Sequence, residues 1–332
     1  MIFEKIYDMD NLQAAWERVR VNKAAPGIDR VRCEDFEKNL AFNLQKIRTQ
    51  IQGEQYDPLP VVIFKDRKIK KEGRVIGMST VRDKVVQQAI LRAITPYFEK
   101  LFLPCSYAYR PKKSALTAVT KASQLIKAGH LWILQMDVRK FFDTMDHGIL
   151  LDLVGRVIDE KPVIRLLAKL LKTKIFREMG LFDNVLGSQQ GSGLSPLLSN
   201  IYLHPLDKIL WDKYKDRYLR YSDDIALCGE EKDQLEEARE LVERCLGELK
   251  LAAHPQKTSI AHVASGIIYL GFYMDVKGKG PDKKSVEQLQ TKLAAYDKVR
   301  KTDNIADKLK EVTAVIRNVI QNNMTYRLSY IK

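Results

Sequence analysis

Cysteine is scarce in this chain. Cys33, Cys105, Cys228 and Cys245 stand alone among 332 residues, with no Cys-x-x-Cys spacing. That count argues against a zinc ribbon or a disulfide framework and leads us to expect a reduced, cytoplasmic protein. Histidine offers no metal cluster either, because His147, His204 and His254 are scattered. No apolar run approaches the roughly 20 residues of a membrane span. The start, MIFEKIYDMDN, lacks the basic-then-apolar layout of a secretory signal. Internal repeats, low-complexity tracts and flexible linkers are missing as well, so one large domain or a few connected subdomains are expected.

What the chain does have is positive charge. Its 56 Lys and Arg against 42 Asp and Glu give a net charge of +14. Such an excess suits a polyanionic partner, nucleic acid above all, although a basic soluble protein with no such partner would read the same way. Distribution sharpens the reading. Between Val61 and Arg92 nine basic residues face three acidic ones, and from Tyr273 onward thirteen face seven. Two basic zones thus flank a middle that carries paired carboxylates.

The order of elements is mixed. A helix is expected over residues 10–21, followed by a turn-rich break, NKAAPGIDRV. Strands are expected at residues 61–64 and 74–78, with a Lys/Arg-rich loop between them. Apolar residues from Val81 to Leu101 recur at helical spacing (Val85, Val86, Ala89, Ile90, Ala93, Ile94), as do Leu235, Ala238, Leu241, Val242, Cys245, Leu246 and Leu249. LWILQMDV, residues 131–138, reads as a buried strand that ends by delivering Asp137. Short strands are expected over 266–274, and helices near 285–300 and 305–322. The pattern is α+β, without the βαβ run of a doubly wound fold.

One stretch raises a chemical question. In RYSDDIALCG, residues 220–229, Asp223 and Asp224 sit side by side where a hairpin turn usually takes Asn-Gly or Asp-Gly. Two like charges repel and lose hydration as the turn packs, and a bound cation removes the difficulty. If the strand ending at Asp137 lies beside this hairpin, three carboxylates converge. Hard divalent cations favour such oxygen donors, and two ions about 4 Å apart serve in-line phosphoryl transfer. The bland alternative is a solvated turn.

Here the sequence resembles a known family. YSDD resembles the YxDD box of reverse transcriptases, and QMDVRKFFDTMDH is similar to their motif A. GSQQGSGLSPLLSNIYLHPLD resembles motif B of the group II intron lineage, LKLAAHPQKTSI its motif D, and YLGF its primer grip. GRVIGMSTVRDKVVQQAI and CSYAYRPKKSA resemble the finger motifs, and NKAAPGIDRV the N-terminal extension. The likeness runs through nearly the whole chain in the family's order.

The resemblance implies a right-hand polymerase: an N-terminal extension of the fingers over residues 1–60, fingers and palm over 61–272, and a helical thumb over 273–332. It implies an RNA-directed DNA polymerase using two Mg²⁺ ions, with Mn²⁺ able to substitute. Asp137, Asp223 and Asp224 would hold metal, aided by the Val138 carbonyl. Phe142 would be the steric gate against a ribose 2′-hydroxyl, its alternative being a core aromatic beside Phe141. Lys65, Arg74, Arg82, Gln190 and Gly191 would contact the incoming dNTP. Gln190 and Gly191 would also open a helix, and Ser195-Pro196 fits a helix start equally well. Lys257 would protonate departing pyrophosphate, its alternative being a surface lysine after a proline turn. Tyr269, Leu270, Gly271 and Phe272 would form the primer grip. Asp143 and Asp146 are read as helix caps.

The chain departs from the motifs at Gln189, Ser192, Val75 and Ser79, where proline, glycine, proline and proline are usual; these positions bear on loop geometry and leave the carboxylates intact. About sixty residues follow Phe272, which leads us to expect no maturase, DNA-binding or endonuclease domain. The implied partners are an RNA template, a DNA or RNA primer and dNTPs, with Cas1/Cas2-type adaptation proteins as a further expectation and no membrane. Two alternatives stay open: a template-independent or defence-type polymerase of the same fold, and a catalytically silent RNA-binding protein.

Overall fold

A computed structural model describes residues 1–65, 75–177, 180–188, 191–281 and 287. Arg74, Gln190 and, apart from residue 287, the helices expected over 285–300 and 305–322 lie outside the described residues. The chain divides into two compact units. One comprises Met1–Leu103, Val138–Lys208 and Cys245–Ala252, the other Pro104–Asp137, Ile209–Arg244 and Ala253–Lys332. No described helix is long and apolar enough to cross a membrane.

In the first unit, the helix Val81–Glu99 is organised by its own start. Thr80 caps it, accepting a hydrogen bond from the Asp83 amide at 3.1 Å, and its periodic face of Val85, Val86, Ala89, Ile90, Ile94 and Phe98 is buried. The helix Met9–Val21 packs against it through Leu12, Ala15, Trp16 and Val19, and Asp8 caps that helix through the amides of Asp10 and Asn11.

The NKAAPGIDRV break is pinned to the same helix start. A Cβ on Gly27 would stand 2.6 Å from the Thr80 amide nitrogen and 2.8 Å from the Ser79 carbonyl carbon, so only glycine lets these two backbones approach. Asp83 is almost fully buried at 1% exposure and acts as a hub. It accepts hydrogen bonds from the Tyr56 hydroxyl, from Thr80 Oγ1 at 2.7 Å and from the Leu59 amide at 3.2 Å, and pairs with Arg82 at 3.0 Å.

A small sheet joins Val61–Lys65 antiparallel to Val75–Met78 and parallel to Ile175–Arg177, which continues antiparallel into Gly180–Phe182. The last two strands are distant in sequence from the first and escaped the sequence reading. The helix of motif B opens at Ser195, with Pro196 in its first turn, while Gly191 sits in a turn at φ +107°. That corrects the expected opening at Gln190–Gly191: a residue at that φ cannot belong to a right-handed helix. Asp146 caps His147–Gly155 as expected, accepting from the Ile149 amide at 3.0 Å. Asp143, by contrast, lies within the first turn of Phe141–Thr144, whose N-cap position is held by Lys140.

The second unit is built on an antiparallel sheet in the order Tyr218–Tyr221, Asp224–Gly229, Trp132–Asp137, Ser259–His262. Trp132–Asp137 is its central partner on both sides. Its Ile133, Leu134 and Met136 are buried on opposite faces, which explains an apolar run that only Gln135 interrupts. On one face, Ile133, Ala226 and Cys228 form a core with Ala118, Val119 and Ala122 of the helix Ala115–Lys127. A second, three-stranded sheet, Ile267–Tyr269, Phe272–Asp275 and Gly278–Pro281, adds Tyr269, Phe272 and Met274 to that core.

Candidate active site

The carboxylates come together because of register. Asp137 ends its strand directly opposite Asp224, the first residue of the neighbouring strand, in a ladder running back from this pair to Trp132 opposite Gly229. Tyr221 pairs with Asp224 across the hairpin, leaving Ser222 and Asp223 as a two-residue loop. Asp137, Asp223 and Asp224 therefore cluster at one end of the sheet. Like charges placed opposite each other in a ladder are destabilising, and their electrostatics show it. Burial, aided by the charges of Asp223 and Asp137, pushes the Asp224 carboxyl up to about 7. Burial and the Asp137 charge raise Asp223 as well, against the opposing effect of its own backbone amide.

Lys257 answers part of this repulsion. It closes the short turn Pro255–Lys257, and its ammonium stands 2.9 Å from Asp137 Oδ2 while the side chain stays largely exposed. Beside the pair opens a pocket of about 200 Å³, lined by Gln135, Asp137, Asp224, Lys257, Ser259 and Tyr269. Gln135 forms part of its wall, donating from Nε2 to the Ile268 carbonyl at 2.8 Å. The buried Tyr269 hydroxyl has no hydrogen-bond partner among the described residues, and burial together with the Asp224 charge raises its phenol well above the ordinary range.

The donor set fits a hard divalent cation: three carboxylates, two of them partly desolvated and holding mutually unfavourable charge. Among the described residues no three acidic, histidine or cysteine groups already stand as a closed ligand set. The Asp137 carboxylate is engaged by the lysine instead.

One consequence is measurable in the metal-free protein. The Asp224 carboxyl sits near 7 when folded and near 4 when unfolded. Its contribution to stability is thus complete below about pH 4 and is lost as pH rises towards 7. Asp224→Asn removes that charge. In EDTA at pH 7.5 the variant should melt a few degrees above wild type, and the difference should vanish near pH 4. Thermal melts across pH check this, and a constant difference would remove the repulsion as its cause.

The remaining sequence-derived residues divide between the units. In the second, Tyr269 pairs with Phe272 across a turn made by Leu270 at φ +49° and Gly271 at φ +79°. Both aromatic side chains are buried, and Leu270 and Gly271 are half-buried at the tip. In the first unit, Phe141 is buried edge-on to Tyr202, with 6.3 Å between ring centroids, whereas Phe142 stays half-buried and its carbonyl accepts the Ser188 amide at 2.7 Å. The Val138 side chain is buried. Arg82 is engaged in the fold: besides Asp83, it donates to the Asp57 carbonyl at 2.6 Å and lies 5.0 Å from the Tyr56 ring centroid. Lys65 ends its strand opposite Val75.

Sequence reasoning passed over two supporting residues. Gln87 accepts the Gly193 amide at 3.3 Å, tying the finger motif to motif B, and donates at 3.2 Å to Oγ of Ser79, the serine that stands where proline is usual. Arg220 is fully buried next to the YSDD turn. Its signal was present: an arginine inside a strand whose neighbours Tyr218, Leu219 and Tyr221 are all β-prone.

The four-stranded antiparallel sheet thus gathers three carboxylates beside a lysine, and the fold is that of a right-hand polymerase. The family model for reverse transcriptase (RNA-dependent DNA polymerase) matches residues 65–274. The chain belongs to that family. Protein YkfC of Escherichia coli strain K12 is 33% identical over 285 residues, covering 74% of each chain. The group II intron-encoded protein LtrA of Lactococcus lactis subsp. cremoris is 33% identical over 173 residues, covering 51% of this chain and 29% of LtrA. Among solved structures, apo telomerase from Candida tropicalis superposes with a TM-score of 0.52 at 13% identity, covering 69% of this chain and 48% of telomerase. Reverse transcriptases act on nucleic-acid templates and use divalent metal ions.

Proposed function

We propose that the cluster of Asp137, Asp223 and Asp224 is the polymerising centre, at which a DNA strand is extended on an RNA template. The observation that carries this reading is the direct pairing of Asp137 with Asp224, with Asp223 in the adjoining hairpin loop. The three carboxylates, with the Val138 carbonyl, would hold two Mg²⁺ ions. When bound, such ions lower the pKa of a primer 3′-hydroxyl and neutralise the leaving pyrophosphate.

The chain's own groups do the rest. Lys257 is placed to give up a proton: its ammonium already reaches the carboxylate cluster, and its exposed stem leaves it free to turn to departing pyrophosphate. Phe142, left half-buried while Phe141 fills the core, is the side chain available to bar a ribose 2′-hydroxyl. Lys65, Arg74, Arg82, Gln190 and Gly191 are the proposed dNTP contacts. The hairpin tip at Leu270–Gly271 is the part of the primer-grip segment available to a primer. Residues 1–60, 61–272 and 273–332 are proposed as finger extension, fingers with palm, and thumb. For partners, the sequence resemblance points to Cas1/Cas2-type adaptation proteins, and co-purification with a Cas1 bait tests that.

Extension of a labelled DNA primer on an RNA template with Mg²⁺ and dNTPs tests the function. Template-length product supports it; product formed without template would assign the chain to untemplated synthesis instead. Phe142→Ala should raise incorporation of rNTPs relative to dNTPs by about 10- to 100-fold, the range one steric contact supplies, while dNTP use stays largely intact. Unchanged sugar selectivity would return Phe142 to a packing role.

A further inference from the structure

The YSDD loop carries a local difficulty that the sheet does not resolve. Ser222 adopts φ +59°, the left-handed region in which the first residue of such a two-residue loop is usually asparagine, aspartate or glycine. The fully buried Arg220 addresses this from within the adjoining strand. Its Nη1 donates to the Ser222 carbonyl and its Nη2 to Ser106 Oγ, both at 2.9 Å. The backbone holds the same three parts together: the Arg220 amide donates to the Cys105 carbonyl and the Tyr107 amide to the Arg220 carbonyl, each at 2.8 Å. Ser106 is itself fully buried and bridges Arg220 in parallel.

The Ser222 carbonyl belongs to the same rigid peptide plane as the Asp223 amide. A donor fixed on that oxygen therefore fixes the direction in which the chain enters Asp223. Main-chain ladder bonds stop at Tyr221 and Asp224, so they do not set this plane.

We infer that Arg220, braced by Ser106, is a positioning residue for polymerisation, clamping the Ser222–Asp223 peptide so that the Asp223 carboxylate stands in its working place. The inference rests on the reading of Asp223 as a reacting carboxylate. Lysine at 220 keeps the charge but cannot span Ser222 and Ser106 at once, because it lacks the planar two-ended fork. Ser106→Ala leaves the arginine and removes only its brace.

The test uses the full chain with Arg220→Lys, Ser106→Ala and Asp223→Ala beside wild type. Three quantities are read: the single-turnover extension rate at saturating primer–template and dNTP, primer–template affinity by fluorescence anisotropy, and Mn²⁺ affinity by electron paramagnetic resonance. Arg220→Lys should slow extension and weaken Mn²⁺ binding by about tenfold or more, as loss of a ligand-orienting contact does. Primer–template affinity should stay within about twofold of wild type. Ser106→Ala should move the same two quantities in the same direction by less. An inactive Asp223→Ala beside an Arg220→Lys of normal rate and Mn²⁺ affinity would overturn the clamp alone. An active Asp223→Ala would overturn the reading beneath it. If Arg220→Lys does not fold, Ser106→Ala decides: wild-type rate and Mn²⁺ affinity in that variant would refute the brace.

Discussion

Asp223→Ala should abolish template-directed extension, lowering the rate by about 10³-fold or more while leaving primer–template binding nearly unchanged. The two halves have separate physical origins. Stabilisation of transition-state charge at such a centre amounts to several kcal/mol, and each 1.36 kcal/mol is a factor of ten in rate. Asp223 is the loop carboxylate of the cluster, flanked by the paired Asp137 and Asp224, so its removal leaves the ladder intact and takes away one acceptor group. Nucleic-acid affinity, by contrast, comes chiefly from Lys and Arg neutralising phosphates, and the chain's net charge of +14 changes by only one unit. Gel-based extension beside anisotropy at matched salt separates the two. A variant that still extends primers at a tenth of the wild-type rate would remove Asp223 from the reacting groups.

The largest effect on stability should come from Asp83→Ala. This carboxylate is 1% exposed and receives Tyr56, Thr80, the Leu59 amide and Arg82. Tyr56 and Thr80 are themselves buried. Alanine would strand several donors out of water at once, beside a guanidinium without its counter-charge. Breaking a buried pair by removing one partner costs about 3–5 kcal/mol. At about 2–4 °C per kcal/mol for a unit of this size, the melting temperature should fall by roughly 10 °C. Asp83→Asn should also destabilise, because its amide nitrogen can only donate where donors already converge. Calorimetry or circular dichroism reads the shift, and a fall of under 2 °C would mean the network relaxes onto water without loss. The same hub bears on Arg82. Its side chain stacks on Tyr56 and bonds the Asp57 carbonyl, so any contact with a triphosphate must compete with these bonds.

Much of the candidate site is written in local order. A β-prone run into Asp137, a hairpin turn at the acidic pair and a helical period from Val81 onward depend on neighbours a few residues away, and short-range sterics enforce them. The turn itself falls one residue earlier than the sequence suggests, at Ser222–Asp223, so that Asp224 opens the next strand. The lengths of these elements in the structure differ from the sequence reading by a residue or two. The caps at Asp146 and the helix start at Ser195-Pro196 are local in the same way. Even Gly191 carried its own warning, since glycine is the residue that takes a positive φ.

Which side chain faces which partner was not local, and there the sequence was silent. Phe141 and Phe142 are identical neighbours; only packing against Tyr202 decides that the first fills the core and the second remains half-buried. Arg82 reads as a dNTP contact and Arg220 as one more cation of a basic chain, yet the first is tied to a buried carboxylate and the second is sealed beneath a hairpin. Lys257 has two readings in the sequence, the motif D proton donor or a surface lysine after a proline turn, and only the sheet places Asp137 2.9 Å from its ammonium. By itself the sequence determined the elements that carry the site, the polymerase motifs and the three acidic residues, because each is a matter of residue type and short-range geometry. Tertiary structure alone decided the Asp137–Asp224 register, the burial that raises Asp224 and the partners of each buried charge. Those depend on contacts between segments dozens of residues apart, whose energies come from desolvation and Coulomb interaction in a packed interior.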